Sequence, residues 1–144
     1  MFLVRRDFAT ETSGFTSQIE AEHWMHVAGV WDGHKTSLYL QGKFFGTFNS
    51  GITRPDATVG LDQHLTIGAE FSKPGLPLSG FFQGQLDEIR LSKVARYNKE
   101  FKPLQPLEQF VVDEHTLALF HCDEGKGSEL TDAAPQKHAG KIVS

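Results

Sequence analysis

Apolar and polar residues alternate along much of this chain, and turn residues interrupt the alternation at short intervals. From Trp24 to Trp31, Trp24, His26, Ala28 and Val30 fall on one side and Met25, Val27, Gly29 and Trp31 on the other. Both sides carry bulk, which predicts a strand inside a sandwich rather than at its edge. Asp32-Gly33 tolerates positive φ and predicts a hairpin turn, with Ser37–Leu40 returning antiparallel. Gln41-Gly42 predicts a second tight turn and Lys43–Phe48 a third strand. The same reasoning predicts strands at Phe2–Asp7, His64–Ala69, Phe81–Ser92, Thr116–Cys122 and His138–Val143. In the Phe81–Ser92 run, Leu86, Glu88, Arg90 and Ser92 share one side and Gln85, Asp87, Ile89 and Leu91 the other.

Between these runs lie loop signals. Ala9–Ser17 is rich in Thr, Ser and Glu, and Asn49–Leu61 holds Gly51, Pro55, Asp56 and Gly60. Ser72–Gly80 holds Pro74, Gly75 and Pro77 and reads as a surface connection, and Gly125–Gln136 is a polar loop. Val94–Tyr97 predicts at most one helical turn. Lys99–Glu108 carries Pro103 and Pro106 and reads as a linker. No long segment has helical periodicity, so the chain reads as all-β with antiparallel meanders.

Composition narrows the functional classes. The chain has 144 residues, of which 39% are hydrophobic, enough for a packed core. Its net charge is -4 and its basic residues are scattered, so it lacks a nucleic-acid footprint. No stretch is apolar for long enough to cross a bilayer as a helix. Phe2-Leu3-Val4-Arg5-Arg6 has neither the order nor the cleavage site of a secretory leader. Two readings stay open, a cytosolic protein or an excerpt of a longer secreted chain. The single cysteine, Cys122, lies in an apolar run and reads as a small buried hydrophobe.

Three motifs, in order, resemble one family. Trp24-x-His26-Val27-Ala28-x-Val30-x-Asp32-Gly33 with Leu38-Tyr39-Leu40-x-Gly42 resembles the central hairpin of laminin-G-like domains in the concanavalin A-like lectin/glucanase superfamily. His64–Gly68 resembles the following strand. Phe82-x-Gly84-x-Leu86-Asp87-Glu88-Ile89-Arg90-Leu91-Ser92 with Ala95-Arg96-Tyr97 resembles the closing strand. Leu117–Gly127 with Asp132 and His138-x-Gly140 resembles the opening of such a domain, although Cys122 stands where an aromatic is usual. The resemblance implies an antiparallel two-sheet jelly-roll sandwich, incomplete here. Residues 1–98 would be the C-terminal portion of one domain, 99–115 a linker, and 116–144 the opening strands of a second. Alternatively, 116–122 folds back beside 81–92. Either arrangement leaves sheet edges through which copies could associate.

The resemblance implies a noncatalytic module for binding carbohydrate or for adhesion, its partner a glycan or an extracellular protein. It would belong to a larger secreted or surface protein of the kind found in bacteria. A structural spacer and an accessory domain of a glycoside hydrolase are the alternatives. Glucanases of this fold carry Glu-x-Asp-x-x-Glu, which aligns a nucleophile and an acid/base on one face. That run is absent from this sequence.

Sugar sites use exposed aromatic rings flanked by polar groups. Of Trp24, Trp31, Tyr39, Phe44, Phe45 and Phe71, most are expected in the core. Trp31 beside its turn and Phe71 beside the Pro74 loop are expected at the surface. Asp123, Glu124 and Asp132 suit a structural Ca²⁺, with Asp87 a further candidate, because Ca²⁺ takes many oxygen ligands. Asp87 and Glu88 are adjacent on a strand and so cannot form a side-by-side pair; one is expected to enter the sheet and bind a loop. The seven histidines show no zinc-site spacing.

Overall fold

The computed structural model describes residues 2–6, 9–13, 23–49, 65–69 and 77–143. These form nine strands, all paired antiparallel, with no helix among the described residues. The chain divides into two compact units, Met1–Gly84 and Gln85–Ser144.

In the first unit, β1 (Phe2–Arg6) pairs with β2 (Ala9–Ser13) in register from Phe2↔Ser13 to Arg6↔Ala9. The Thr-rich start of the expected loop is thus a strand. Threonine is β-branched and suits a pleated ribbon even when the segment is polar. β3 (Val27–Trp31), β4 (Lys35–Leu40) and β5 (Lys43–Asn49) form a three-stranded meander in that order.

The register fixes the two faces of this sheet. Trp31↔Thr36, Gly29↔Leu38 and Val27↔Leu40 lie on one, and Val30↔Ser37 and Ala28↔Tyr39 on the other. Thr36, Ser37, Leu38 and Tyr39 are all buried, so β4 carries the core on both faces. Among the described residues, β4 is the strand of this sheet paired on both sides. Both faces of β3 carry apolar residues, but it has a described neighbour on one side only.

The turns follow their residues. Gln41 and Gly42 both have positive φ (49° and 73°), as a two-residue turn matching strand twist requires. The first turn is longer than Asp-Gly alone. Asp32 Oδ1 accepts the amides of His34 and Lys35, both at 3.0 Å, and Gly33 takes φ 102°. Leu65–Ala69 forms bends rather than the expected strand.

In the second unit, β6 (Ile89–Ser92) pairs with β7 (Thr116–Phe120) from Ile89↔Phe120 to Ser92↔Thr116, and the register shifts once, past Leu117. β8 (Glu129–Thr131) and β9 (Ala139–Lys141) form a hairpin, joined to β7 by a Phe120↔Asp132 bridge. The core holds Ala118, Leu119 and Ala134 with Thr116 and Asp132.

Three expectations are corrected here. The strand expected from Phe81 begins only at Ile89, because Glu88 has φ 52° and breaks the pleat. Val94–Tyr97 contains no helical turn. The strand from Thr116 stops at Phe120, two residues before Cys122 turns to φ 59°. In addition, β8 lies within the expected polar loop, and the last strand is shorter than its apolar run.

The segment between β6 and β7 is closed at its base by an ionic clasp. The Arg96 guanidinium makes two bonds to Asp113, at 2.8 and 2.5 Å, and Arg96 Nε donates to Ser92. The guanidinium holds the Asp113 carboxyl well below the usual carboxylate range. Arg90 stacks 3.9 Å over the Phe110 ring and donates to the Tyr97 hydroxyl.

Gly140 is set by close approach. A Cβ there would lie 2.8 Å from both Leu130 Cβ and Phe120 Cε1. Gly140→Val is expected to cost about 1–3 kcal/mol through overpacking, read as a lower denaturation midpoint.

Candidate ligand-binding face

The candidate site grows from the first hairpin. Trp31 ends β3 and remains 40% exposed, on the same face as exposed Val27. The turn that follows carries Asp32, His34 and Lys35 at the surface. The amides of Lys35 and His34 hold the Asp32 carboxyl below its ordinary value, so the turn that follows Trp31 carries a fixed negative group.

The second turn reaches back to residues 24–26. Gln41 Oε1 accepts the His26 amide at 2.8 Å, Gln41 Nε2 donates to the Trp24 carbonyl at 3.4 Å, and the Gln41 amide donates to the His26 carbonyl at 2.9 Å. Gln41 thereby extends the β3 pairing past the strand end and tethers Trp24, which is exposed. Sequence reasoning missed this role. The available signal was a non-glycine residue at a turn position that demands positive φ.

The expectation that most of the aromatics are core fails on this sheet. Tyr39 is buried, whereas Trp24, Phe44 and Phe45 are as exposed as Trp31 or more so. The register steps from Gly46 to Phe44, past Phe45, and this irregularity accompanies the exposed pair. Phe44 meets the edge of Tyr39 with ring centroids 5.7 Å apart, on the face opposite Trp31. Phe71 lies outside the described residues.

The acidic candidates lie in the second unit and have separate partners. Asp132 Oδ1 accepts the amides of Leu119 and Ala134, and Oδ2 accepts the amide of His138 and contacts its Nδ1, all between 2.8 and 2.9 Å. Two donors to each oxygen leave no open lone pair for a cation. Burial pushes the Asp132 carboxyl up, but the Leu119 and Ala134 amides and His138 outweigh it and bring it down to about 2. Glu124 Oε1 accepts the Thr131 amide at 2.6 Å. Asp87 and Asp123 are exposed, and Asp87 accepts the Glu88 amide. Among the described residues, no three His, Cys, Asp or Glu side chains are grouped to hold a metal ion.

Glu88 turns inward. It accepts the Phe110 amide at 2.7 Å and meets His121 Nδ1 at 2.7 Å, so the carboxylate that enters the sheet binds the connecting segment. Cys122 is half-buried. Burial, then the charges of Asp87, Glu124, Glu88 and Asp123, push its thiol up to about 11, which makes it a poor nucleophile.

A sequence model of the concanavalin A-like lectin/glucanases superfamily matches residues 2–101. This chain belongs to that superfamily. The match spans β1 to β6 and the clasp residue Arg96, and it leaves β7, β8 and β9 outside. No individual curated protein and no solved structure matches the chain. As a superfamily member it is all-β with antiparallel sheets, as a partial concanavalin A-like jelly roll requires. No helix among the described residues is long and apolar enough to cross a membrane.

Proposed function

We propose that this chain is a noncatalytic laminin-G-like module that binds carbohydrate, with Trp31 as its stacking platform. Family membership supports a binding or adhesion module, because the superfamily includes lectins. The observation that carries the choice of site is Trp31 itself, an exposed indole at the edge of a turn fixed by the Asp32 side chain. The indole offers a flat apolar surface to a sugar ring, and Asp32, His34 and Lys35 offer hydrogen bonds to hydroxyls.

The antiparallel pairing of β6 with β7 supports the alternative in which residues 116–122 fold back beside the closing strand, rather than a separate second domain. The absence of a Glu-x-Asp-x-x-Glu run supports the noncatalytic reading.

A glycan array probed with the purified chain tests the proposal. Binding to a defined class of sugars that falls at least about tenfold in Trp31→Ala, with melting unchanged, is the expected outcome; one lost stacking contact of about 1.4 kcal/mol suffices. A folded chain that binds no glycan favours the spacer reading. Binding that Trp31→Ala leaves intact moves the site elsewhere.

A further inference from the structure

The connection from β6 to β7 runs through residues 93–115 without a strand or helix. Its base is closed. The Lys93 amide donates to the His115 carbonyl at 3.0 Å, and Arg96 clasps Asp113. Both arms are tied down as well. The Phe110 amide donates to Glu88, the Phe110 ring lies under Arg90, and Tyr97 stacks on Phe101 with ring centroids 3.6 Å apart.

The tip differs from the arms. Pro106 and Leu107 form a turn in which the Glu108 amide donates to the Gln105 carbonyl at 3.0 Å, and the Gln105 amide returns to Glu108 Oε2 at 3.0 Å. Proline suits the first central position of a type II turn, whereas the second favours glycine or asparagine because its φ is positive. Leu107 stands at that second position, with φ 72° and an exposure of 103%. A residue with a Cβ is disfavoured in this backbone, and full exposure leaves its side chain no packing to offset the strain. The connection therefore presents a whole leucine side chain to solvent between two anchored arms. Exposed loop tips are where proteolytic nicking concentrates.

We infer that the Leu107–Glu108 bond is a processing site for an endopeptidase with an apolar specificity pocket, and that the cut chain stays assembled. An endopeptidase takes its substrate extended, so the turn must open first. Opening breaks the exposed hydrogen bonds between residues 105 and 108 and relieves the left-handed backbone at Leu107, while the arms keep their contacts. The pocket takes a side chain that leaves no contact behind. Tyr97, Phe101 and Phe110, the aromatic alternatives in the same connection, would each have to give up a ring or guanidinium contact. Water adds across the Leu107–Glu108 amide, leaving a carboxylate on Leu107 and an ammonium on Glu108, and no other covalent bond changes. The pieces 1–107 and 108–144 remain joined by the β6–β7 ladder, the Glu88–Phe110 bond and the Arg96–Asp113 clasp. The inference stands independently of carbohydrate binding.

Chymotrypsin, whose specificity pocket is a hydrophobic slot, is the probe. Limited digestion of the native chain, mapped by mass spectrometry and N-terminal sequencing, is expected to place the first cut within residues 85–144 after Leu107. The product should elute with the parent in size exclusion and separate into two pieces only under denaturing conditions. Leu107→Asn suits positive φ and lacks the apolar side chain, so cleavage at this bond should slow at least about tenfold, whereas Leu107→Phe should be cut at least as fast as the parent. No cut after Leu107, or an earlier cut elsewhere in this unit, overturns the inference. So does Leu107→Asn cut there at the parent's rate. Pieces that part without denaturant overturn the claim that the cut chain stays assembled.

Discussion

Asp132→Ala is expected to destabilise the second unit by about 3–5 kcal/mol, one of the two largest effects any single substitution should have here. The carboxylate is buried and accepts four contacts, and two of the donors, the Leu119 and Ala134 amides, are themselves buried. Truncation leaves those amides without an acceptor, and a buried unsatisfied donor costs more than a hydrogen bond gains. Asp132→Asn keeps one carbonyl oxygen for the two amides but turns an NH₂ toward the His138 amide, so it should lose about half as much. Urea unfolding at neutral pH, with hydrogen exchange read over residues 116–143, measures both variants. An Asp132→Ala chain with the parent's midpoint would remove Asp132 as the organiser of this unit.

Acid titration provides an independent check. The Asp132 carboxyl lies lower in the folded state (about 2) than its ordinary 3.8, so the unfolded chain takes up the proton first. The stabilisation is therefore complete above about pH 4 and fades as the pH falls toward 2. In Asp132→Asn this part of the acid sensitivity should disappear. Asp113, whose carboxyl is lowered by the Arg96 clasp, contributes in the same direction in both proteins.

The second large effect is expected at Leu119. It is the one large side chain that is fully buried among the described residues, at 0% exposure, and Leu119→Ala should cost about 2–5 kcal/mol. The backbone bonds of residue 119, to the Asp132 carboxylate and from the Ala133 amide, are available to alanine as well. The substitution therefore reports packing alone. Because Leu119 and Asp132 are both buried and adjoin in one core, relaxation around either truncation is shared, so the double variant should lose less than the sum of the single ones, and a double-mutant cycle in urea measures the difference. Strict additivity would mean that the buried carboxylate and the apolar core act independently.

These two residues show which parts of the fold could be read from sequence. Strands β3, β4 and β5 and the turns between them were legible, because alternation has a period of two and Asp-Gly and Gln-Gly meet the conformational demands of tight turns. Leu119 was legible as part of an apolar run. Asp132 was marked for attention as an acidic residue in a glycine-containing loop, but its role was not legible. Nothing local shows that its partners are the amides of residues 119, 134 and 138.

The same contrast applies to the β6 region. The alternation from Gln85 to Ser92 predicts a continuous strand. The backbone turns at Glu88 because that carboxylate meets His121 and the Phe110 amide, one 33 and the other 22 residues away in sequence. The aromatic residues tell a similar story in reverse. Hydrophobicity alone placed most of them in the core, yet the irregular register on β5 accompanies exposed Phe44 and Phe45, while Tyr39 on the central strand is covered. Trp31 was expected at the surface because it borders a turn, and its 40% exposure agrees.

By itself the sequence determined the all-β class, the central meander and its turns, because each rests on period-two patterning or on the φ preferences of one or two residues; the superfamily rests instead on ordered motifs that a sequence model matches over residues 2–101. Only the tertiary structure decided where β6 begins, which carboxylates are consumed by backbone amides, and which aromatic rings remain at the surface. Those outcomes depend on donors and neighbours brought together from distant parts of the chain, and no local pattern encodes which of them will meet.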